Sequence, residues 1–363
     1  MSKHICYSDE DLKNQIEINN CQELLNEKGC LNVKGWSRQP CLKYNPNNLS
    51  RFKKAYRLKE WNYYSIGSNS FYFAVAAIDL GYINNYQCFF IDFSEVDSKP
   101  VHDEITSSAA FSKGLMLPKD SCEEGIHAEL KTKNFNLQFS VAHQNNGETI
   151  KHLIKINNAK MKLVADLEFD LSPNRESVVL ITPIGEENFY YNRKTNLIPI
   201  NGTLRIDGKE MLDDTCFGIM DWGRGIWDYN SFWLWCSAWG KDKKNNTPIG
   251  LNFGSGFGNL STHTENAVNI DGVIHKLGHV DIKYNELNLL EPWTFHCKHG
   301  RFGGNPLTFT PIKKKLESNN FLLVMSSFHQ ILGKFSGELV LDSGEIIQID
   351  DIYGFVEVHK ARW

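Results

Sequence analysis

The sequence lacks a hydrophobic run long enough to cross a membrane. Its most apolar stretch, residues 71–80, is interrupted by Asp79, whereas a membrane helix needs about 20 apolar residues. The opening segment, MSKHICYSDEDLK, does not contain the apolar core of a secretory signal peptide. We therefore expect a cytoplasmic protein with no membrane span.

Concentrated positive charge is also missing. The chain has 39 basic and 43 acidic residues, and its formal net charge is -4. The longest basic run is Lys313–Lys315, and duplex binding needs a much broader basic face. Nucleic acid is therefore not an expected partner.

Motifs for metals, nucleotides and nucleophilic serines are absent. The 9 cysteines form no CxxC pair, which predicts reduced, buried thiols. His263, His275, His296 and His299 lack the tight spacing of a zinc site. The glycine-rich residues 249–258 precede no helical pattern and no Lys-Ser/Thr pair, and no Gly-x-Ser-x-Gly occurs. The sequence predicts no metal and no cofactor.

Alternating apolar residues are abundant instead. Hydrophobic residues make up 41% of the chain and aromatic residues 12%, enough to form a large core. Residues 135–142 and 161–169 alternate apolar with polar side chains, which is typical of half-buried antiparallel strands. Further strands are predicted at residues 71–79, 86–93, 178–182, 203–207, 231–239, 248–254, 321–328, 335–341 and 346–350. Asn- and Gly-rich turns are predicted at residues 84–85, 145–147, 201–202, 271–272 and 343–344.

One substantial helix is expected, near the start of the chain. Ser8 and Asp11 resemble a capping box, and Gly29 could end a helix over residues 9–27. The length of 363 residues fits two domains. We expect an all-β protein with minor α content, in which residues 1–200 form the helix and a first β-barrel and residues 201–363 form a second.

The most informative segment is residues 221–239, which hold five of the nine tryptophans. Alternation along strand 231–239 places large side chains on one face, namely Trp233, Trp235, Ser237 and Trp239. The other face carries Phe232, Leu234, Cys236 and Ala238. Both faces are apolar, so the strand is buried on both sides, and the tryptophan face either fills a core or lines a cavity.

Asp221 and Arg224 flank this aromatic segment. They could form an ion pair that holds a tight turn at Gly223 and Gly225, because charges beside buried tryptophans are costly unless paired. Alternatively, Asp221 is a carboxylic acid in an apolar pocket, where a raised pKa lets it deliver a proton near neutral pH.

A hairpin is predicted over residues 262–277, around Asp271-Gly272. It supplies Glu265 as a second candidate acid, with Arg224 and His275 to set proton affinity and orientation. The sequence thus predicts Asp221, Arg224 and Glu265 as catalytic residues in one apolar cavity. The predicted ligand-binding residues are Trp222, Trp227, Tyr229, Trp233, Trp235, Asn252, Asn266, His275 and Trp293.

Several segments together resemble a family known as domain of unknown function 2804. They are residues 24–40, EWNYYSI (60–66), DWGRGIW (221–227), GLNFGSGFG (250–258), TENAVNIDGVIHKL (264–277), residues 291–293, residues 329–330 and EVHKARW (357–363). The resemblance covers nearly the whole chain, but it implies no particular activity.

A remoter resemblance carries more chemistry. Asp221-Trp222-Gly223, leading into a tryptophan-rich strand, is similar to a motif of calycin-like two-barrel proteins related to carotenoid hydratases. That resemblance implies tandem lipocalin-like barrels with a cavity for a hydrophobic ligand. Together with the candidate acids Asp221 and Glu265, such a cavity leads to the hypothesis of a cofactor-independent hydratase, isomerase or cyclase that acts on an unsaturated small molecule by acid catalysis. The alternative is a non-catalytic lipid or pigment binding protein.

Overall fold

The structure, a computed structural model, describes residues 15–93, 99–108, 115, 117–261, 263–298, 300–321 and 324–362. Its helical segments are short: Pro46–Asn48, Lys53–Arg57 and Asn145–Gly147. The first fourteen strands are β1 Gln22–Glu23, β2 Gly35–Ser37, β3 Leu42–Lys43, β4 Leu58–Gly67, β5 Phe71–Asp79, β6 Ile83–Asp92, β7 Val101–Ser108, β8 Gly125–Lys131, β9 Phe135–Gln144, β10 Thr149–Asn158, β11 Leu163–Asp170, β12 Val178–Ile184, β13 Asn188–Ile198 and β14 Ile200–Ile206. The others are β15 Lys209–Glu210, β16 Phe217–Ile226, β17 Asn230–Lys241, β18 Pro248–Ser255, β19 Ala267–Ile270, β20 Val273–Lys276, β21 Val280–Lys283, β22 Trp293–Cys297, β23 Leu307–Phe321, β24 Val324–Val340 and β25 Ile346–Arg362. The prediction of an all-β protein is confirmed.

The chain forms two compact units. Of the described residues, the larger unit comprises those in Asn19–Val33 and Ser37–Trp227, and the smaller unit comprises those in 15–18, Lys34–Trp36 and 228–362. The expected boundary was near residue 200. Residues 201–227 instead belong to the larger unit, because β14 pairs with β11 and β16 pairs with both β4 and β13.

The larger unit contains seven neighbouring strands of one sheet, β12-β13-β16-β4-β5-β6-β7, and a six-stranded sheet, β15-β14-β11-β10-β9-β8. The sheets pack face to face through aromatic side chains. Tyr64 of β4 contacts Phe139 of β9 at 5.0 Å and Phe169 of β11 at 5.6 Å between ring centroids. Inward-facing residues of β4, β13 and β16 therefore point toward the six-stranded sheet.

The smaller unit is a single antiparallel sheet of nine strands in the order β20-β19-β18-β17-β25-β24-β23-β22-β21. One core cluster contains Val268 from one end of this order, Val280 from the other, and Cys236 and Val356 from the middle. Because side chains from distant strands meet in one cluster, the sheet curls around its own core, as a barrel does.

The predicted helix is wrong over its described part, residues 15–27, and residues 9–14 lie outside the described chain. Leu24 donates its amide to the Lys43 carbonyl at 2.9 Å, and Leu25 donates its amide to Asn45 Oδ1 at 2.8 Å. Both leucines are buried. Bonds to the β3 region therefore replace the i−4 bonds of a helix.

Predicted turns are confirmed at residues 145–147, 271–272 and 343–344, which separate neighbouring strands. The predicted turns at residues 84–85 and 201–202 are wrong, since both pairs lie inside strands, β6 and β14. Asn84 is fully buried, and Gly202 lies tightly against Asp166 of β11. Burial and strand pairing override the local turn preference there.

Candidate functional site

Residues 217–226 form β16, so the predicted tight turn at Gly223 and Gly225 is wrong. The strand is buried along its whole length between β4 and β13. Because side chains alternate along a strand, Asp221 and Arg224, three residues apart, lie on opposite faces. The predicted ion pair between them is therefore replaced by separate partners on each face.

Asp221 shares its face with polar residues of both neighbouring strands. It lies directly opposite Lys194 of β13 and Tyr63 of β4, and directly opposed side chains are close enough to interact. The hydroxyl oxygens of Tyr63 and Tyr72 lie 2.6 Å apart. Asp221 and Lys194 are both buried, so an acidic and a basic side chain share a face that water reaches poorly.

Asn192 of β13 is a further polar residue on this face. It lies opposite Gly223 and is 0% exposed. Among the residues that the structure describes, neither its amide oxygen nor its amide nitrogen has a hydrogen-bond partner. Such orphaned buried groups are rare in folded proteins and call for a partner.

Three aromatic rings complete the face. Trp61 stacks on Tyr190 at 5.7 Å and 20°, and Trp227 meets Trp61 edge-on at 5.2 Å. A Cβ at Gly223 would lie 1.9 Å from Trp61, and one at Gly225 would lie 2.9 Å from Trp227. Gly223 therefore makes room for the Trp61 ring, and Gly225 makes room for the Phe189 carbonyl and the Trp227 ring. We call the set of Asp221, Lys194, Tyr63, Asn192, Trp61, Tyr190 and Trp227 the Asp221 face.

Arg224 lies on the opposite face, toward the six-stranded sheet. Its Nη1 donates to the carbonyls of Trp61 and Gly223, each at 2.7 Å. Its Nη2 donates to Asn62 Oδ1 and to the Pro118 carbonyl, each at 3.0 Å. Its Nε lies 3.5 Å from Glu60 Oε1, an ion-pair distance. The guanidinium also lies over the Trp222 ring, 4.0 Å from the centroid.

Glu60 is the carboxyl group beside Arg224. Burial raises its pKa, although Arg224 and a hydrogen bond from Tyr44 lower it, and the nearby Asp79 raises it further. The Tyr44 hydroxyl donates that bond to Glu60 Oε1 at 2.8 Å. Because burial dominates, Glu60 holds its proton more tightly than an exposed glutamate does.

Two histidines of the six-stranded sheet reach the same interior. The Tyr64 hydroxyl and His152 Nδ1 lie 2.8 Å apart, and His127 Nε2 donates to the Glu123 carbonyl at 2.6 Å. Burial lowers the pKa of both imidazoles, so both are neutral near pH 7. We call the set of Tyr44, Glu60, Asn62, Tyr64, His127, His152, Arg193, Trp222 and Arg224 the interior cluster.

The tryptophans of β17 belong to the smaller unit. Trp233 Nε1 donates to Glu357 Oε1 at 2.7 Å, and Trp235 Nε1 donates to Asn252 Oδ1 at 2.9 Å. Asn252 Nδ2 donates to the Glu265 carbonyl at 2.8 Å. The structure thus brings Glu265 to Trp235 through Asn252, whereas Asp221 and Arg224 belong to the larger unit.

The remaining predicted ligand-binding residues have local structural partners in the smaller unit. Asn266 bridges the Gly254 amide and the Gly278 carbonyl, each at 2.9 Å. His275 Nδ1 lies 3.2 Å from Asp342 Oδ2. Trp293 lies in the core cluster and stacks on Tyr284 at 4.1 Å. Tyr229 is 43% exposed.

Sequence reasoning missed Lys194, Asn192 and Glu60. Glu60 lies in the segment EWNYYSI, where alternation places Glu60, Asn62 and Tyr64 on one strand face. A polar residue at every second position of an otherwise apolar strand is a detectable signal. Lys194 and Asn192 carry no such signal, because only the pairing of β13 with β16 brings them to Asp221.

Neither a metal-binding cluster nor a membrane-spanning helix is found among the described residues. In these ranges, no group of three or more His, Cys, Asp or Glu side chains is placed to hold a metal ion. Across the same ranges, no helix is long and apolar enough to span a membrane.

Comparison with known families identifies the chain. Residues 15–363 match DUF2804, a domain of unknown function. The chain belongs to the DUF2804 family. The resemblance noted in its sequence motifs is therefore confirmed. Among curated proteins, none matches this DUF2804 sequence.

Solved structures similar to this DUF2804 protein share little sequence with it. Kievitone hydratase from Nectria haematococca matches with 10% identity and a TM-score of 0.45, over 85% of this chain and 92% of that chain. CghA matches with 11% identity and a TM-score of 0.38, over 84% and 88%. A Nitrosomonas europaea protein provisionally assigned as AttH matches with 10% identity and a TM-score of 0.46, over 84% and 92%. These identities transfer no residue role to this chain.

Proposed function

We propose that this DUF2804 protein is a cofactor-independent hydratase, isomerase or cyclase for a hydrophobic, unsaturated small molecule, with Asp221 as the acid. The observation that carries the proposal is the composition of the Asp221 face. A buried carboxyl, an orphaned Asn192 amide and the rings of Trp61, Tyr190 and Trp227 share one face of a sheet. Such a surface suits an apolar molecule with one polar group.

The proposed reaction begins when the Asp221 carboxyl transfers its proton to one carbon of a C=C bond. The other carbon becomes cationic, and the faces of Trp61 and Trp227 stabilise that charge. In hydration, a water oxygen bonds to the cationic carbon and a water proton returns to Asp221. In isomerisation or cyclisation, Asp221 takes back a proton from a neighbouring carbon instead.

Polar neighbours of Asp221 would orient its carboxyl group and the bound substrate. Lys194 and Tyr63, directly across from Asp221, take the orienting role that the sequence predicts for Arg224 and His275. The Asn192 amide offers one acceptor and two donors to a hydroxyl or carbonyl group of the substrate. In the smaller unit, Asn252 links Trp235 to Glu265, and Trp233 donates separately to Glu357.

The test starts with mass spectrometry of small molecules that co-purify with the native protein. The identified compound is then incubated with the protein in D2O, where protonation of a C=C bond leaves one deuterium on carbon. We expect Asp221→Asn to lose turnover by about 100-fold or more. Asp166→Asn, which alters an exposed carboxyl of the same unit, should match the wild type.

Two results would contradict the proposal. The first is an Asp221→Asn protein that folds normally and turns over the compound at the wild-type rate, which would remove Asp221 as the acid. Alternatively, the compound could be recovered unchanged and free of carbon-bound deuterium from the wild-type protein. That second result would favour a non-catalytic lipid or pigment binding protein.

A further inference from the structure

Two neighbouring residues of the interior cluster carry N–H groups for which the described residues provide no hydrogen-bond acceptor. Trp222 of β16 and Asn62 of β4 are direct cross-strand partners, and both are buried. Within the described part of the chain, Trp222 Nε1 and Asn62 Nδ2 have no hydrogen-bond acceptor. Both atoms carry N–H groups, so the missing partner must accept hydrogen bonds.

Positive charge surrounds these donors. The Arg224 guanidinium lies 4.0 Å over the Trp222 ring and donates to Asn62 Oδ1. Arg193 is also buried, and it donates to the neutral groups Ser177 Oγ at 2.9 Å, Ser121 Oγ at 3.1 Å and Cys122 Sγ at 3.0 Å. Two guanidinium groups therefore share one interior with the single Glu60 carboxyl, which lies at ion-pair distance from Arg224. A further anion would offset the charge of Arg193, whose acceptors named above are all neutral.

Apolar rings enclose the same place. Tyr191 meets the Trp222 ring edge-on at 5.3 Å, and Tyr44 does so at 6.5 Å. Phe139 and Phe169 pack on Tyr64, two residues along β4 from Asn62. An occupant of this interior therefore needs an anionic end and an apolar body.

We propose that Trp222 Nε1 and Asn62 Nδ2 donate hydrogen bonds to the carboxylate of an apolar ligand inside the larger unit, with the Arg224 guanidinium as a nearby positive charge. A carboxylate has two oxygens, which match two N–H donors, and its single negative charge complements a cluster that holds two guanidinium groups and one carboxyl group. A phosphate would bring a larger, more strongly hydrated head into an interior lined by rings. The site is separate from the Asp221 face, because alternation along β16 places Trp222 and Arg224 on the other side of the sheet.

Isothermal titration calorimetry on the full chain tests the proposal with three probes: decanoate, decanol and decyl phosphate. We expect decanoate to bind with one-to-one stoichiometry, at least 10-fold more tightly than the other two. Trp222→Phe keeps the ring under Arg224 and removes only the N–H, so it should weaken decanoate binding by about 10- to 100-fold. Trp239→Phe, a buried tryptophan of the smaller unit, should leave that affinity unchanged.

Asn62→Asp provides a second variant that keeps an oxygen for Arg224. It removes the N–H donor and adds a negative charge, so decanoate binding should be lost while the circular dichroism spectrum is retained. The proposal is overturned if decanoate binds no better than decanol, or if decyl phosphate binds more tightly. It is also overturned if folded Trp222→Phe and Asn62→Asp proteins bind decanoate like the wild type.

Discussion

Replacing Gly223 by alanine tests why glycine occupies the middle of a buried strand. The added Cβ would lie 1.9 Å from Trp61 Cζ2, whereas ordinary contact begins at 3.4 Å. The indole must therefore shift by roughly 1.5 Å, and such overpacking costs about 1–3 kcal/mol. The shift also disturbs the stack of Trp61 on Tyr190, worth about 0.5–1.5 kcal/mol. We expect Gly223→Ala to lower the free energy of unfolding by about 2–4 kcal/mol.

A double-mutant cycle assigns that loss to Trp61. In a Trp61→Leu background no ring opposes the new methyl group, so Gly223→Ala should cost less than about 1 kcal/mol there. Gly225→Ala is the matched control, because its Cβ would lie 2.5 Å from the Phe189 carbonyl oxygen. A backbone clash is not relieved by changing Trp61, so Gly225→Ala should be equally costly in both backgrounds.

Urea unfolding followed by far-ultraviolet circular dichroism measures all six proteins of these two cycles. The reasoning is refuted if Gly223→Ala costs the same with and without the Trp61 indole. That result would mean that the backbone of β16, and not a side chain laid across it, demands glycine at position 223.

Three further predictions concern the smaller unit, the cysteines and pH. Burial lowers the pKa of His359 from 6.5 to about 3. Between pH 6.5 and pH 3, the imidazole is therefore protonated in the unfolded chain but not in the folded protein. Urea unfolding stability should therefore fall as pH drops through that window, by up to about 1.4 kcal/mol per pH unit; an equally steep fall in His359→Gln would contradict this. Trp233→Phe should lower the free energy of unfolding by about 1.5–3 kcal/mol, because the hydrogen bond to Glu357 is lost. In a Glu357→Gln background the same substitution should cost less, and an equal cost in both backgrounds would contradict this. Thiol titration of denatured protein should count the same number of thiols with and without reductant, and a rise of two would indicate a disulfide.

Strand positions could be predicted because alternation is a local property of the sequence. Residues 135–142 and 161–169 needed no partner strand to reveal their buried faces. The helix prediction failed because the backbone amides of Leu24 and Leu25 bond to residues 43–45. A local sequence pattern does not indicate such contacts.

The candidate site was harder to predict, because its geometry depends on which strands pair. Gly223 and Gly225 suggested a turn, and a turn would bring Asp221 and Arg224 together. In a strand the same spacing places Asp221 and Arg224 on opposite faces. The single predicted site therefore corresponds to two separate groups of residues, the Asp221 face and the interior cluster. Glu60 and Asn192 join these faces only through the pairing of β16 with β4 and β13.

The pairing of β17 with β25 affects how the smaller unit can be made. Strands β18 to β24 lie between these two partners in the chain, yet β25 bonds to β17 along one edge and to β24 along the other. During synthesis, β17 and β24 therefore each present an unpaired edge until Ile346–Arg362 has left the ribosome. Open edges of this kind invite pairing with other chains. The strands of the larger unit all precede Asp228, so that unit can close first while the sheet of the smaller unit waits for its central strand.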